Sequence, residues 1–354
     1  MRVIEVSDRA GFGGIERVAD DLTTGLQSRG HSVLRLSLLK AERQGAVRSI
    51  GLRGLSGLRP VLITARALET LCREHQIDVV HSHSAVVDRS MALRSVTGVR
   101  HVRTVHSFDD GYMGYSRLKS WRAAWEGRAV LRASYVVYVA RHVADDCMSN
   151  GGRIGRFRTI IRNAIPDCGV SITNQRKDID VLQVGNFYAV KNQKETIAAL
   201  AHLRDRGFKA NVTFVGDGVT RSEVQRYAEQ LGLHESASFI GHADARPLYR
   251  RAHVVAATSR YEGCPLNLLE AHVSGCLVVA SDIPGHVEVA AHLPTVALYT
   301  MGNCQALAFA LESRLMVSRD LKERHATEIP RQYSYSAFLE AYERVLLGDE
   351  TATV

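Results

Sequence analysis

Aromatic residues are scarce in this chain. They make up 6% of 354 residues, with only two tryptophans. They are not interleaved with basic residues as a base-stacking platform would require, and no RNA or DNA module is recognisable. Long apolar runs are missing too: the longest, such as Val33–Leu39 and Val254–Ala257, fall far short of the roughly 20 residues that span a bilayer. The opening MRVIEVSDRAGFGG has no apolar signal core and reads straight into a fold. The six cysteines lie far apart, with no CxxC and no clustered Cys/His spacing, which argues for reduced thiols and against a structural zinc site. With 45% apolar and 23% charged residues, disordered, collagenous and coiled-coil chains are excluded as well. The expectation is a soluble, intracellular protein of about two domains.

Charge is unevenly spread. Residues 1–178 carry 28 Lys+Arg against 17 Asp+Glu, and residues 179–354 carry 17 against 20. A basic first half meets something anionic, and nucleic acid, an anionic membrane face and a phosphorylated acceptor all fit. Short β-rich runs alternate with amphipathic helical stretches throughout, the pattern of βα units on parallel sheets. First-half strand candidates are Arg2–Val6, Ser32–Leu38, Asp78–Ser82, Val102–His106, Tyr135–Val139 and Arg158–Arg162. A second series runs Val181–Val184, Asn211–Val215, Ser238–Ile240, Val254–Ala257, Leu277–Ala280 and Val296–Leu298. The polar stretch Ser171–Asp178 interrupts the pattern. This predicts domains at 1–175 and 176–330, with a C-terminal helix in 331–354 packing back on the first.

Each half opens with a strand, a loop suited to phosphate, and a helix: RVIEV-SDRAGFGG-IERVADDL and VLQVG-NFYAVKN-QKETIAAL. Gly11, Gly13 and Gly14 allow close backbone approach, and the helix behind them offers a positive N-terminus. GFGG is not GxGxxG, and a plain tight turn explains it equally well.

The most informative segment is EGCPLNLLEAHVSGCLVVASDIPG, starting at Glu262. A strand leads to a loop with Glu262 and Gly263, Pro265 opens a helix where its missing N–H costs nothing, and Glu270 lies on that helix. Here the chain resembles the retaining, family 4 nucleotide-sugar glycosyltransferases with the two-domain GT-B fold. Their hallmark is two glutamates separated by seven residues in this context. GGIERVADDLTTGLQSRGHSV, VVHSHS, VRTVHSF, RTIIRNAIP, VGNFYAVKNQ, FVGDG (with Gly216) and FIGHADARPLYRRAHVVAATS (with Gly241) match in the same order, covering about 5 to 350. The resemblance implies two Rossmann-like, doubly wound α/β domains facing across a cleft.

A nucleotide diphosphate needs cationic and N–H donors: Lys191, Gly13, Gly14 and the amides near Cys264, Pro265 and Leu266 at a helix start. Glu270 is suited to the ribose hydroxyls. Glu262 is suited to the donor-sugar hydroxyls and the positive charge developing at the anomeric carbon. The resemblance places the family's active-site histidine at His106. His81 and His83 form an HxH pair, read here as loop contacts at the cleft rim because no third metal ligand is apparent. Asp109–Asp110 is not a DxD motif. Neither a metal nor another cofactor is expected, the nucleotide sugar being a co-substrate. Where the family usually has arginine, this chain has Asn186, so one of two cations on the diphosphate is missing.

The implied reaction moves a hexose or N-acetylhexosamine from a nucleotide sugar, with UDP favoured, to an acceptor hydroxyl with retention. A surface glycan or glycolipid is the leading acceptor. A small soluble acceptor such as an aminocyclitol, and a catalytically lapsed nucleotide-sugar-binding protein, are the alternatives. In SRLKSWRAAWEGRAVLR, Arg117, Trp121, Trp125, Arg128 and Arg132 fall within about 80° on a helical projection. That stripe suits docking at an anionic inner membrane face, or an ordinary helix burying its tryptophans.

Overall fold

The computed structural model describes residues 1–11, 13–40, 47–107, 135–149, 157–166, 177–317 and 328–350. The chain divides into two compact units, Met1–Ala164 with Tyr335–Val354, and Ile165–Ser334. The break falls at Ala164/Ile165 rather than in the polar stretch at 175/176. Ile165 pairs with Ser334 in an isolated bridge, so the chain enters and leaves the second unit side by side.

The first unit contains β1 (Arg2–Ser7), α1 (Gly14–Ser28), β2 (Ser32–Leu39), β3 (Arg48–Leu52), α2 (Leu58–Glu74), β4 (Val79–Ser82), α3 (Ala85–Leu93), β5 (Arg100–Val105), β6 (Tyr135–Tyr138), α4 (Arg141–Ser149) and β7 (Arg158–Ile160). Its sheet is parallel throughout, in the order β3-β2-β1-β4-β5-β6-β7. β3 is an edge strand that periodicity misses, because RSIGL breaks its two apolar residues with an arginine, a serine and a glycine. The inner strands are almost wholly buried because helices cover both faces, yet they carry Glu5, His81, His101 and Arg103 among their apolar residues. Ile4, Val6, Leu36, Leu38 and Val80 join Val61 and Leu68 of α2 in one core.

The second unit runs β8 (Ile179–Val184), α5 (Gln193–Asp205), β9 (Val212–Val215), α6 (Arg221–Gln230), β10 (Ala237–Phe239), α7 (Arg246–Arg251), β11 (Ala252–Ala257), α8 (Leu266–Val273), β12 (Leu277–Ser281), α9 (Pro284–Ala290), β13 (Val296–Tyr299) and α10 (Cys304–Met316). Its parallel order is β10-β9-β8-β11-β12-β13. Both sheets are doubly wound, with the strand order reversing beside β1 and beside β8. Such a switch point opens a ligand crevice at the C-terminal strand ends.

The last helix, α11 (Tyr335–Leu347), belongs to the first unit. It buries Phe338, Leu339, Tyr342, Val345 and Leu346. It meets α1 at Gly25, where a Cβ would stand 2.3 Å from Leu339 Cδ2. Arg29 and His31 each reach a carboxylate oxygen of Glu343 at 2.6 Å, and Tyr335 Oη donates to the Asp21 carbonyl. Among the described residues, no helix is long and apolar enough to cross a membrane. Cys72, Cys147, Cys264, Cys276 and Cys304 are all thiols.

Candidate functional site

In the second unit the loops after β8 and β11 flank the switch point, and the sequence places its candidates there. A buried polar network pins the first loop. Gln183 Nε2 donates to Thr258 Oγ1 at 2.9 Å, Thr196 Oγ1 donates to Gln183 Oε1 at 2.7 Å, and Thr258 Oγ1 lies 3.1 Å from the Lys191 carbonyl. Phe187 is fully buried beneath the loop, its ring 5.9 Å from those of both Phe214 and Phe239. Asn186 stands at the start of this loop, and its carbonyl accepts from Gln193 Nε2 at 3.1 Å. Gly216 N donates to the Gly241 carbonyl at 2.8 Å, tying together the ends of β9 and β10.

The network brings two predicted residues into contact. Lys191 Nζ donates to Glu262 Oε1 at 2.5 Å, and Ser259 Oγ donates to the same oxygen at 2.6 Å. Burial alone would raise the Glu262 pKa, but the Lys191 ammonium, with His286 beside it, holds the carboxyl below its usual value. An ammonium has three donors, so Lys191 keeps two for an anion. Gly263, Cys264 and Pro265 follow, buried, and Pro265 is the N-cap residue of α8 rather than its first residue. The amides from Leu266 onward have no side-chain cap, which leaves a positive helix end facing that loop. Glu270, on α8, is buried and accepts from Tyr249 Oη at 2.9 Å.

His286 is a residue that sequence reasoning missed. It is fully buried on α9, where Nδ1–H donates to the Ser281 carbonyl at 3.0 Å. Burial lowers its pKa to about 4, against the opposing pull of Glu262, so the ring is neutral at pH 7. Gly285 beside it presses on the Glu262 backbone: a Cβ there would stand 2.3 Å from the Glu262 carbonyl oxygen. Arg260 is a second basic side chain at this loop. Its backbone N donates to the Val190 carbonyl at 2.8 Å, and Nη2 lies 3.4 Å from Asn192 Oδ1.

In the first unit Gly13 is the N-cap residue of α1 and Gly14 its first residue. The Glu16 carboxylate folds back over Gly13, with Oε2 lying 1.8 Å from where a Cβ would be. Burial raises its pKa. The helix end predicted for phosphate is therefore lined by its own first-turn carboxylate.

The histidine pair corrects the sequence reading. His81 is not a rim contact: it sits on β4 with no exposure, and a third group does stand beside the pair. Parallel register sets Glu5 of β1 against His81. His81 Nδ1 lies 2.7 Å from Glu5 Oε2, and His83 Nε2 hydrogen-bonds Glu5 Oε1. His106, partly buried just past β5, holds His83 Nδ1 through its Nε2 at 2.6 Å. The nearest ligand atoms of Glu5, His81 and His83 lie within 4.8 Å of one another, a spacing that a cation could share. Each nitrogen here instead faces its own carboxylate oxygen at hydrogen-bond distance. The signal for Glu5 was present: a lone carboxylate amid the apolar residues of RVIEV needs a partner. Trp121, Trp125, Arg128 and Arg132, with Asp109–Asp110, lie outside the described residues.

Comparison with known proteins decides the family. Residues 12–165 match the family model of Glycosyltransferase Family 4, and residues 171–328 match that of Glycosyl transferases group 1. This chain belongs to the group 1, family 4 glycosyltransferases. It is 24% identical to the glycogen synthase of Mycobacterium tuberculosis over 356 residues, covering 89% of this chain and 86% of that one. It is 25% identical to the capsular polysaccharide biosynthesis glycosyltransferase CapH of Staphylococcus aureus, covering 62% and 63%. The crystal structure of Anabaena HepE in complex with UDP and glucose superposes with a TM-score of 0.77, at 19% identity, over 98% of this chain and 99% of that one. The two Rossmann-like units are those of the GT-B fold, and the chain is a glycosyl-transferring enzyme.

Proposed function

We propose that this glycosyltransferase moves a hexose or N-acetylhexosamine from a nucleotide sugar, with uridine as the base, to a hydroxyl of a surface glycan or glycolipid. The anomeric configuration is retained and no metal takes part. The observation that carries the reading is the contact between Lys191 and Glu262 beside the uncapped start of α8. It sets an ammonium, an ionised carboxylate and a row of free amides around one switch point. The UDP complex of HepE supports the base and the capsular role of CapH supports the acceptor.

Lys191 and the α8 amides hold the diphosphate, with Arg260 as the second cation in place of the arginine lost at Asn186. Glu262 takes the sugar hydroxyls and steadies the positive charge at the anomeric carbon, and Glu270 takes the ribose. The bond from anomeric carbon to diphosphate oxygen breaks as the bond to the acceptor oxygen forms on the same face. The acceptor proton passes to the departing diphosphate. Stabilising that leaving group is the largest catalytic contribution. The protein works on the cytoplasmic side, at the membrane surface where a glycolipid acceptor would lie.

The test is turnover of the purified protein with UDP-, GDP-, ADP- and TDP-sugars without metal, with the product anomer read by NMR. Lys191→Ala and Glu270→Ala are each expected to lower turnover by about tenfold or more, the worth of one charged hydrogen bond. Unchanged rates refute the site, and an inverted product refutes the mechanism. Co-sedimentation with anionic liposomes at low salt tests the membrane placement, and its absence moves the acceptor to a small soluble molecule.

A further inference from the structure

Sugar transfer by itself gives Glu5 no task. This carboxylate is fully buried on β1, between Ile4 and Val6, which are equally buried. An isolated charge there is costly unless it is hydrogen-bonded. Its oxygens take two imidazole donors, His81 Nδ1–H on Oε2 and His83 Nε2–H on Oε1. Burial would raise the Glu5 pKa, but the two flanking imidazoles bring it down to about 2. At neutral pH it is therefore ionised and can only accept.

That fixes the hydrogen bonds beyond it. His83 must carry a proton on Nε2. Burial lowers the pKa of His83 and pushes that of His106 well down, so each ring is neutral at pH 7 and holds one proton. His83 Nδ1 is then bare, and His106 Nε2, 2.6 Å away, must be the donor. His106 Nδ1 is left as a lone pair, with no hydrogen-bond partner among the described residues. On the other side, His81 Nε2 faces Thr104 Oγ1 at 2.8 Å, which lies 3.1 Å from Tyr342 Oη. Either polarity of that branch leaves the His83 side unchanged.

We propose that Glu5 and His83 are positioning residues that hold His106 in its Nε2–H form, so that the bare Nδ1 accepts a hydrogen bond from a sugar hydroxyl. Such a nitrogen favours a hydroxyl and turns away acceptor-only oxygens such as those of a diphosphate. Only the identity of the hydroxyl rests on the sugar-transfer reading. A divalent cation seated among Glu5, His81 and His83 predicts the opposite. It would take the lone pair of His83 Nε2, move the proton to Nδ1, and invert His106.

The imidazole proton–nitrogen correlation spectrum of the full chain, labelled with 15N-histidine at pH 7, tests this. His83→Gln and His106→Gln spectra supply the assignments. A pyrrole-type Nε2 and a pyridine-type Nδ1 are expected for His106. A His106 protonated on Nδ1, or cationic, overturns the proposal, and stoichiometric bound metal alongside the Nδ1–H form names a cation as the cause. The Nδ1 resonance is expected to move with glucose or with a nucleotide glucose but not with the bare diphosphates, and movement with the nucleotide sugars alone assigns the hydroxyl to the donor. Movement with glucose alone assigns it to the acceptor, and no movement with either overturns the hydroxyl contact.

Glu5→Gln leaves one acceptor oxygen for two histidine donors, so one ring must change its proton. The His106 form and turnover are expected to change together, inverted with turnover down about tenfold, and no change in either overturns the positioning role of Glu5. Either one changing alone overturns the positioning role. A wild-type His106 in the expected form, with no transfer from any nucleotide sugar, leaves the proton arrangement standing and refutes the sugar-transfer reading instead.

Discussion

Replacing Gly285 with alanine tests whether α9 holds Glu262 in place. The new methyl group would stand 2.3 Å from the Glu262 carbonyl oxygen, 3.0 Å from its carbon and 3.0 Å from the Gly263 carbonyl oxygen. All three are backbone atoms, so no side chain can swing aside. The Gly285 backbone is in ordinary helical geometry, and alanine would otherwise gain about 0.5–1 kcal/mol as the better helix former. Forcing an extra carbon into a packed site costs about 1–3 kcal/mol. The net is a loss of up to about 2.5 kcal/mol, or up to roughly 10 °C in the Tm of a unit this size. The segment that must move carries the carboxylate bonded to Lys191 and Ser259, so turnover falls alongside stability. Thermal unfolding by circular dichroism and a nucleotide-sugar assay read the two effects. A Gly285→Ala protein with unchanged Tm and unchanged turnover refutes the claim that this contact sets the position of Glu262.

Three further outcomes are expected. Gly14→Ala meets nothing within 4 Å, so its Tm should hold or rise slightly. A large fall in turnover without a fall in Tm would show that the glycine admits a ligand, and unchanged turnover would reduce it to a tight turn. His286 has its folded pKa lowered from 6.5 to about 4, so the unfolded chain binds a proton that the folded chain refuses. Stability is therefore lost as pH falls below 6.5 towards 4, on the order of 2–3 kcal/mol for this group. His286→Leu should gain on the wild type in urea midpoint between pH 7 and pH 5, and parallel curves would refute the assignment. Deleting residues 335–354 removes five buried apolar side chains of α11, each worth about 1.5–3 kcal/mol. That rivals the whole stability of a domain, so the truncated chain should lose the cooperative unfolding of its first unit, as calorimetry would show.

The parts of the fold written in local pattern were legible. All six second-half strands could be placed because each is a short apolar run between helices with clear polar faces. β3 is not legible, since RSIGL mixes an arginine, a serine and a glycine with two apolar residues and offers no apolar run to read. The polar stretch 171–178 predicts a boundary there, whereas the units part at Ala164/Ile165. Composition marks a break in the hydrophobic pattern, but a pairing such as Ile165 with Ser334 joins residues far apart in sequence and leaves no mark. The Glu262–Glu270 segment was readable for the opposite reason, its loop, helix and turn lying within one contiguous stretch.

The first-unit cluster shows what kind of information was missing. His81 and His83 stood in plain view as HxH, yet their partner lies 76 and 78 residues earlier. Only the parallel register of β1 with β4 brings Glu5 opposite His81. Strand alternation then puts both side chains on one face, and Tyr342 of α11 closes the same face through Thr104. Spacing cannot encode a contact that depends on which strands become neighbours, but chemistry leaves a trace of it. A glutamate between Ile4 and Val6, in a strand whose neighbours must all be buried, demands donors from somewhere in the fold. The histidines of the next strand in the sheet are the groups able to meet that demand without adding a second buried charge. Read as a demand for partners, the carboxylate of RVIEV points to the histidines that the HxH pattern alone left unexplained.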